Sequence, residues 1–307
     1  MRTGRNNPVL RRLRRVVALG SVLAVTAVVV PDSGVGNPEA VLVRVQTAEA
    51  IDHPKDVVWI LALGSDARPG QSVVRSRADA IQLVGVNLKT GTAVVFGVPR
   101  DSWVPIPGHG SNRVNAAMYF GGPQLMARTV GTMFDIDVDY AFVSGFGGFE
   151  RMVKSVGGVV VNSDQAFSDD NLEGRFKKGK NFVNGRLAVN FGRMRHFLPG
   201  GDFDRSAHQS ELIKAIARKV NANEDRPGFM ERGLLAVVQE LHTDLSPAEL
   251  YRLAQAATTV DPSRIKSCVL RGSIGNIGGA SVVIPNLSQA RRLGDATRRD
   301  AKLEGGC

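Results

Sequence analysis

Apolar residues fall in short unbroken runs along the first half of the chain and at helical spacing along the second. "VVWILAL" (57–63), "AIQLVGV" (80–86) and "AVVFGV" (93–98) are rich in branched side chains. Runs of that length predict buried strands. "NLKTGT", between the last two, reads as a turn. "VDYAFVSG" and "VVVNS" predict two more strands. Residues 123–134, with Pro123 in the first turn, predict a helix. So does "GFERMVKSVGG", which Gly157 and Gly158 stop. Residues 31–55 mix proline, glycine, asparagine and charge, and read as a linker.

From residue 184 onward helices dominate. "DRSAHQSELIKAIARKV" places Leu212, Ile213, Ile216 and Val220 on one helical face. "LSPAEL" (245–250) is a helix start in which Ser246 caps and Pro247 takes the first position. Glu249 completes a capping box there, and Leu245 staples against Leu250. The glycine-rich "GSIGNIGG" (272–279) reads as a loop, "SVVIPN" as a last strand, and a charged helix begins near Ser288. Strands alternating with helices, without an internal repeat, predict a three-layer α/β domain.

Length and composition allow a substantial core: 307 residues, 43% of them apolar. The net charge of +10 points towards nucleic acid or an anionic surface until it is located. Residues 1–30 hold six arginines and no acid, leaving 33 basic against 29 acidic residues in the remainder. The basicity is thus mostly a property of the tail. That tail runs into "VVALGSVLAVTAVVV" (16–30), the pattern of an export signal or a membrane anchor. An uncleaved single-pass anchor, a cleaved signal and a buried helix are the three readings; the first two put the folded domain outside the cytoplasm. Only Cys268 and Cys307 exist, an even count suited to export. Paired, they would close a loop of about 40 residues and contribute roughly 4 kcal/mol; the alternative is two unpaired thiols.

Three neighbouring strand ends collect arginines and carboxylates. "GSDARPG" carries Asp66 and Arg68, "RSRADA" carries Arg75, Arg77 and Asp79, and "VPRDSW" carries Arg100 and Asp101. Far downstream, "NFGRMRHF" holds Arg193 and Arg195, and "GGDFDR" holds Asp202, Asp204 and Arg205. Each alone reads as a solvated surface charge. Together, at strand ends where α/β sheets bind ligands, they point to a strongly anionic ligand, because the planar guanidinium grips phosphate oxygens in bidentate fashion. Carboxylates without a neighbouring histidine suit magnesium shared with substrate phosphates. Phosphoryl transfer is the chemistry this favours. No metalloprotease, P-loop, hydrolase-elbow or dinucleotide motif competes.

Seven of these pieces, in order, resemble the LytR-CpsA-Psr family of cell-wall enzymes over roughly residues 57–220. They are "GSDAR", "SRADA", "VPRDSW", "RVNAAMYFGG", "VSGFGGFERMVKSVGGVVV", "FGRMR" and "GDFDRSAHQ". The resemblance implies a three-layer α/β/α fold with a central mixed β-sheet plus a helical C-terminal extension, as expected of actinobacterial members. The implied organisation is a cytoplasmic basic tail with an anchor or signal at 1–30 and a linker at 31–55. A catalytic domain follows at 56–222, and an extension at 223–307 packs on that domain.

The implied activity is transfer of a glycopolymer, such as teichoic acid or arabinogalactan, from a polyprenyl-pyrophosphate carrier to peptidoglycan outside the membrane. It comes with Mg2+ or Mn2+ and a side pyrophosphatase activity. Asp66 and Asp79 resemble the family's metal-site aspartates. Arg77, Arg100, Arg193 and Arg195 resemble its pyrophosphate-binding arginines, with Asp101 holding Arg100 or aiding proton transfer. Arg68, Arg75, Asn115, Arg205, His208 and Gln209 are carried over as substrate-binding. His208 departs from the family pattern, which has arginine before the glutamine. Two rival readings are a non-catalytic binder of lipid-linked or wall phosphopolymers and a nucleic-acid-binding regulator. The export tail and the modest charge of the remainder argue against the second.

Overall fold

The computed structural model describes residues 38–46, 56–195, 198–223, 226, 229 and 241–307. The basic tail and apolar segment expected at 1–30, and most of the expected linker, lie outside these residues. Among the described residues no helix is long and apolar enough to cross a membrane.

The strands, in chain order, are β1 (Ala40–Arg44), β2 (Val57–Ser65), β3 (Ala78–Asn87), β4 (Ala93–Gly97), β5 (Trp103–Pro105), β6 (Ser111–Arg113), β7 (Tyr140–Ser144) and β8 (Val159–Ser163). They continue with β9 (Phe167–Asp169), β10 (Leu172–Phe176), β11 (Gly179–Val183), β12 (Leu241–Thr243), β13 (Ile265–Val269), β14 (Gly272–Ile277) and β15 (Ala280–Pro285). The helices are α1 (Ala116–Phe134), α2 (Phe146–Ser155), α3 (Gly185–Arg193), α4 (Asp202–Asn223), α5 (Pro247–Thr259) and α6 (Leu287–Thr297).

Seven strands form one mixed sheet in the order β12-β1-β7-β2-β3-β4-β13. The runs read from the sequence as buried strands are its centre. On β2 the odd residues Trp59, Leu61 and Leu63 join the core beneath α1 and α6. The even residues Ile60, Ala62 and Gly64 face the opposite layer, the period-2 alternation of a strand covered on both sides. On that opposite side α4 lies very close to the sheet. A Cβ on Gly97 would collide with the Ser206 hydroxyl, so only glycine admits the helix there. The contact is polar: Gln82 donates to the Ser206 carbonyl at 3.2 Å, and Ser210 donates to Gln82 at 2.7 Å.

A second core sits beyond α4. There α2, α3 and the small hairpins β8–β11 and β9–β10 enclose Phe167, Phe176, Phe191 and Met194. Gly157 and Gly158 follow α2 with φ of +74° and +75°, which explains why the helix stops there.

Several expectations change. Residues 40–44, read as linker, are a strand inside the main sheet, because "AVLVR" pairs with both β7 and β12. The extension expected to pack on the domain from residue 223 also builds it, since β12 and β13 are strands of the main sheet. The C-terminal portion has its two helices but also strands. "GSIGNIGG" is not a loop throughout: Gly272–Ile277 is β14, paired antiparallel to β15 around a turn at Gly278–Gly279. The helix expected at 123–134 is preceded by a turn from Ala116, with a kink at Gly121–Gly122 ahead of Pro123. Cys268 and Cys307 form a disulfide, with Cα atoms 5.5 Å apart, that fastens the last residues to the sheet beside α6.

Candidate active site

The ends of β2, β3 and β4 lie side by side, and their register brings the charged segments together. Gly64 pairs with Ala80, and Gln82 with Gly97, so β2 ends, β3 begins and β4 ends at one edge. Asp66 follows β2, Asp79 opens β3, and Arg100 and Asp101 follow β4. The Arg77 N–H donates to Asp66 at 2.9 Å, and the Asp66 N–H donates to the Arg77 carbonyl at 3.0 Å, closing the gap between the strands.

Arg100 is the hub. It forms an ion pair with Asp79, and its Nε lies 3.8 Å from Asp101. Burial would lower the Arg100 pKa; the adjacent Asp79 carboxylate outweighs that and raises it above its usual value. Asp101 is held from its other side by Arg113 Nε at 3.5 Å. Its backbone carbonyl accepts from the Val283 N–H at 3.0 Å, so β15 braces this loop. Asn115 is buried and ties the start of α1 to the Arg100 carbonyl through its backbone N–H at 3.3 Å.

The start of α4 completes the cluster. Arg205, only 4% exposed, pairs with Asp202. Burial pushes the Asp202 carboxyl up and the Arg205 guanidinium down, the penalty of holding both charges out of water. Arg100 Nε, Arg113 Nε and Asp202 Oδ2 are buried without a hydrogen-bond partner in the protein. Three such atoms around one loop call for a polar ligand. Arg195, half-buried, adds its field to Arg205.

Other residues singled out in the sequence lie elsewhere or act differently. Arg68, Arg75 and Arg77 have exposed side chains outside the ion-pair network, Arg75 reaching instead to the Phe120 carbonyl at 3.5 Å. Gln209 is buried and spends its amide on the backbone carbonyls of Asp79 and Gly192, at 3.1 and 3.0 Å. It positions β3 against α3 and α4. His208 is a correction. Its ring lies against Phe167 and Phe191, with centroids 4.5 and 4.6 Å apart, inside the second core. Burial lowers its pKa to about 4, and the aromatic packing keeps the ring in the second core rather than at the charged edge. Asp202, named among the charged segments of the sequence, and Arg113, which sequence reasoning passed over, both belong to the cluster. Asp202 is visible from its place one turn before Arg205; Arg113 has no such signal.

From this charged edge an apolar groove of about 420 Å³ runs between the sheet and the second core. Its floor is the even face of β2 with Ala80 and Val84 of β3 and Phe142 of β7. Its walls include Phe149 and Met152 of α2 and Leu212, Ile213 and Ile216 of α4. Asp79, Arg193, Arg205 and Gln209 line its charged end. Arg193 is exposed there, its guanidinium 4.2 Å above the Phe146 ring.

The model of the LytR_cpsA_psr family matches residues 34–299. The chain belongs to that family. Among relatives of known role, it is 37% identical over 168 residues to a polyisoprenyl-teichoic acid–peptidoglycan teichoic acid transferase, TagU of Bacillus subtilis (strain 168). That match covers 54% of this chain and 53% of the relative. TagT of the same strain, which carries the same transferase name, is 35% identical over 193 residues, 60% of this chain and 59% of the relative. The chain thus spans about half the length of the curated relatives it matches. A solved TagT structure with bound octaprenyl pyrophosphate lipid aligns with a TM-score of 0.62 and 26% identity, over 87% of this chain and 97% of that one. TagT bound to LI-WTA aligns with a TM-score of 0.66 and 27% identity, at the same coverage. The family match runs past residue 222 and takes in β12 to β15.

Proposed function

We propose that this member of the LytR_cpsA_psr family is a phosphotransferase. It moves a glycopolymer from a polyprenyl-pyrophosphate carrier to peptidoglycan, outside the membrane. One observation carries the reading: a buried arginine–carboxylate cluster closes one end of an apolar groove, the shape and polarity of a lipid that ends in a diphosphate. The relative whose structure holds octaprenyl pyrophosphate shares this fold.

In this reaction an acceptor hydroxyl oxygen of peptidoglycan attacks the phosphorus that bears the polymer. The P–O bond to the carrier phosphate breaks, the lipid monophosphate leaves, and the hydroxyl proton passes to a base. Arg100, Arg193, Arg195 and Arg205 would bind the diphosphate oxygens and offset the charge that grows on the leaving phosphate. Asp101, flanked by Arg100 and Arg113, would keep the Arg100 fork aimed.

The donor set fits magnesium. Burial and the nearby Asp79 carboxylate raise the Asp66 pKa, the condition that a divalent cation relieves. Among the described residues no cluster of three acidic, histidine or cysteine ligands exists, so an ion here would take its remaining ligands from substrate phosphates and water. Asp66 and Asp79 would hold it, and it would supply Lewis-acid stabilisation of phosphate charge.

The test combines the full chain with a polyprenyl-pyrophosphate glycolipid, undecorated peptidoglycan and magnesium. Transfer is expected to vanish with EDTA and to fall about 100-fold or more in Arg100→Ala, the loss typical of removing one electrostatic stabiliser. Lipid binding without transfer under every condition would overturn the enzyme in favour of a binder.

A further inference from the structure

The hairpin β8–β11 carries an apolar pair on its outer face. Phe182 is 62% exposed and lies directly across the ladder from Val160, itself 46% exposed. A buried alternative exists for neither, because Val159, Val161 and Val183 already fill the inner face. The Phe182 ring lies over the Gly157–Gly158 turn, so closely that a Cβ on Gly158 would come within 2.6 Å of it. An aromatic and an aliphatic side chain exposed side by side on one face mark a surface with something to meet.

Basic residues surround this pair. The segment "RFKKGK" leading into β11 places Arg175, Lys177, Lys178 and Lys180 in the open, with no acid among them. From α4, Arg218 donates to the Val160 carbonyl at 3.2 Å, and Lys219 reaches the Gly157 turn. Among the acids of the neighbourhood, Asp164 and Asp170 stand exposed, and Glu173 lies 3.7 Å from Arg186. Glu150 pairs with Lys154, and Glu211 pairs with Lys214 and Arg218.

The position of the patch decides its partner. Both α2 and α4 start at the charged end of the groove, with Phe146 under Arg193 and Arg205 beside Asp202. Down their length they line it with Met152 and Ile216. Gly157–Gly158 and Lys219 come next on the same two helices, so the Phe182 patch borders the far, apolar end. A carrier tail that enters by its diphosphate and outruns the groove leaves there.

We infer that the outer face of β8–β11, with the basic turn before it, seats the protein on an anionic lipid surface at the apolar end of the groove. Phe182 and Val160 enter the acyl boundary and the lysines meet the headgroups. The direction of the tail rests on the carrier reading above, whereas the patch itself does not. Seated this way, the protein passes a lipid tail between bilayer and groove without exposing it to water.

The test uses the full chain in phosphatidylcholine vesicles with and without phosphatidylglycerol, some of them with brominated acyl chains. In Phe182→Trp the new emission is expected to shift to the blue and to be quenched by the brominated lipid, more so with phosphatidylglycerol. Replacing Lys177, Lys178 and Lys180 by glutamine should remove that dependence. Tyr119→Trp, on α1 across the sheet, should stay unquenched. Transfer from a vesicle-held carrier should fall about tenfold in Phe182→Ser, the weight of one aromatic at an interface, and should be unchanged with a short, water-soluble carrier.

Absent quenching at 182, or a response only to soluble teichoic acid, overturns the proposal and in the second case gives the face to a wall polymer. Binding of polyprenyl pyrophosphate in detergent tests the carrier separately. Retained binding without quenching sinks only the seating surface; quenching without binding sinks only the carrier.

Discussion

Arg100 and His208 show how far one side chain's neighbours decide its chemistry. Both follow recognisable motifs, and both occur near the same helix. Arg100 keeps its charge under burial because Asp79 and Asp101 stand beside it. His208 loses its charge because aromatic rings surround it; the carboxylates of Asp204, Asp164 and Glu211 only partly oppose that loss. The unfolded chain therefore binds a proton at His208 near pH 6.5, and the folded protein binds it near pH 4. Stability should rise with pH between those values, by roughly 3 kcal/mol at most, and be level outside them. His208→Phe keeps the stacked geometry and should flatten this slope in denaturant titrations at pH 4.5 and 7. An identical slope in both proteins would place the histidine's proton elsewhere. The motif alone could not separate these fates, since "RSAHQ" says nothing of Phe167, some forty residues away.

Among the elements, α5 was the most fully legible, because its start is written in local chemistry. Ser246 and Glu249 exchange hydrogen bonds as a capping box with Pro247 between them. The structure adds a partner that local sequence could not show: Arg44 of β1 pairs with Glu249, so the cap also fixes a strand. Burial would raise the Glu249 carboxyl; the hydrogen bonds from Ser246 and Arg44 outweigh it and hold it below the ordinary value. A lowered folded pKa contributes stability that is complete above the unfolded value and lost as pH falls through the folded one. Glu249→Ala should lose about 1 kcal/mol at pH 7 and distinctly less at pH 3, read by thermal midpoints. Equal losses at both pH values would show that the carboxylate charge is irrelevant. Strands such as β1, β13 and β14 were harder to read. "AVLVR", "IKSCV" and "GSIGNI" are short and carry polar or glycine residues. Their strand state comes from partners far along the chain for β1 and β13, and from a hairpin for β14.

For the whole molecule, closure depends on the chain's two ends meeting one sheet. β1 and β13 lie near opposite edges, and the disulfide from Cys268 on β13 to Cys307 pins the segment that covers α6. Closing a 39-residue separation in the unfolded chain should make Cys307→Ser about 4 kcal/mol less stable. Denaturant midpoints of the variant and of the reduced wild type should agree; an unchanged midpoint would mean the crosslink constrains nothing.

The site was legible where charges sit at strand ends, as with Asp66, Asp79, Arg100 and Asp101. Sheet register alone brings those together. It was not legible where a distant segment must dock first: Arg113 comes from β6, and the backbone bonds of Gln209 need α4 seated on the sheet.

The seam between α4 and the sheet has one more effect. Gln82, Ser206, Gln209 and Ser210 join across it by directed bonds rather than by oily packing. Hydrocarbon surfaces can slide past one another, but these four residues have a single register. An oily trough left empty would otherwise shrink upon itself. Here the helix is held at a fixed stand-off, like a shelf on pegs, and the trough keeps its width between one guest and the next.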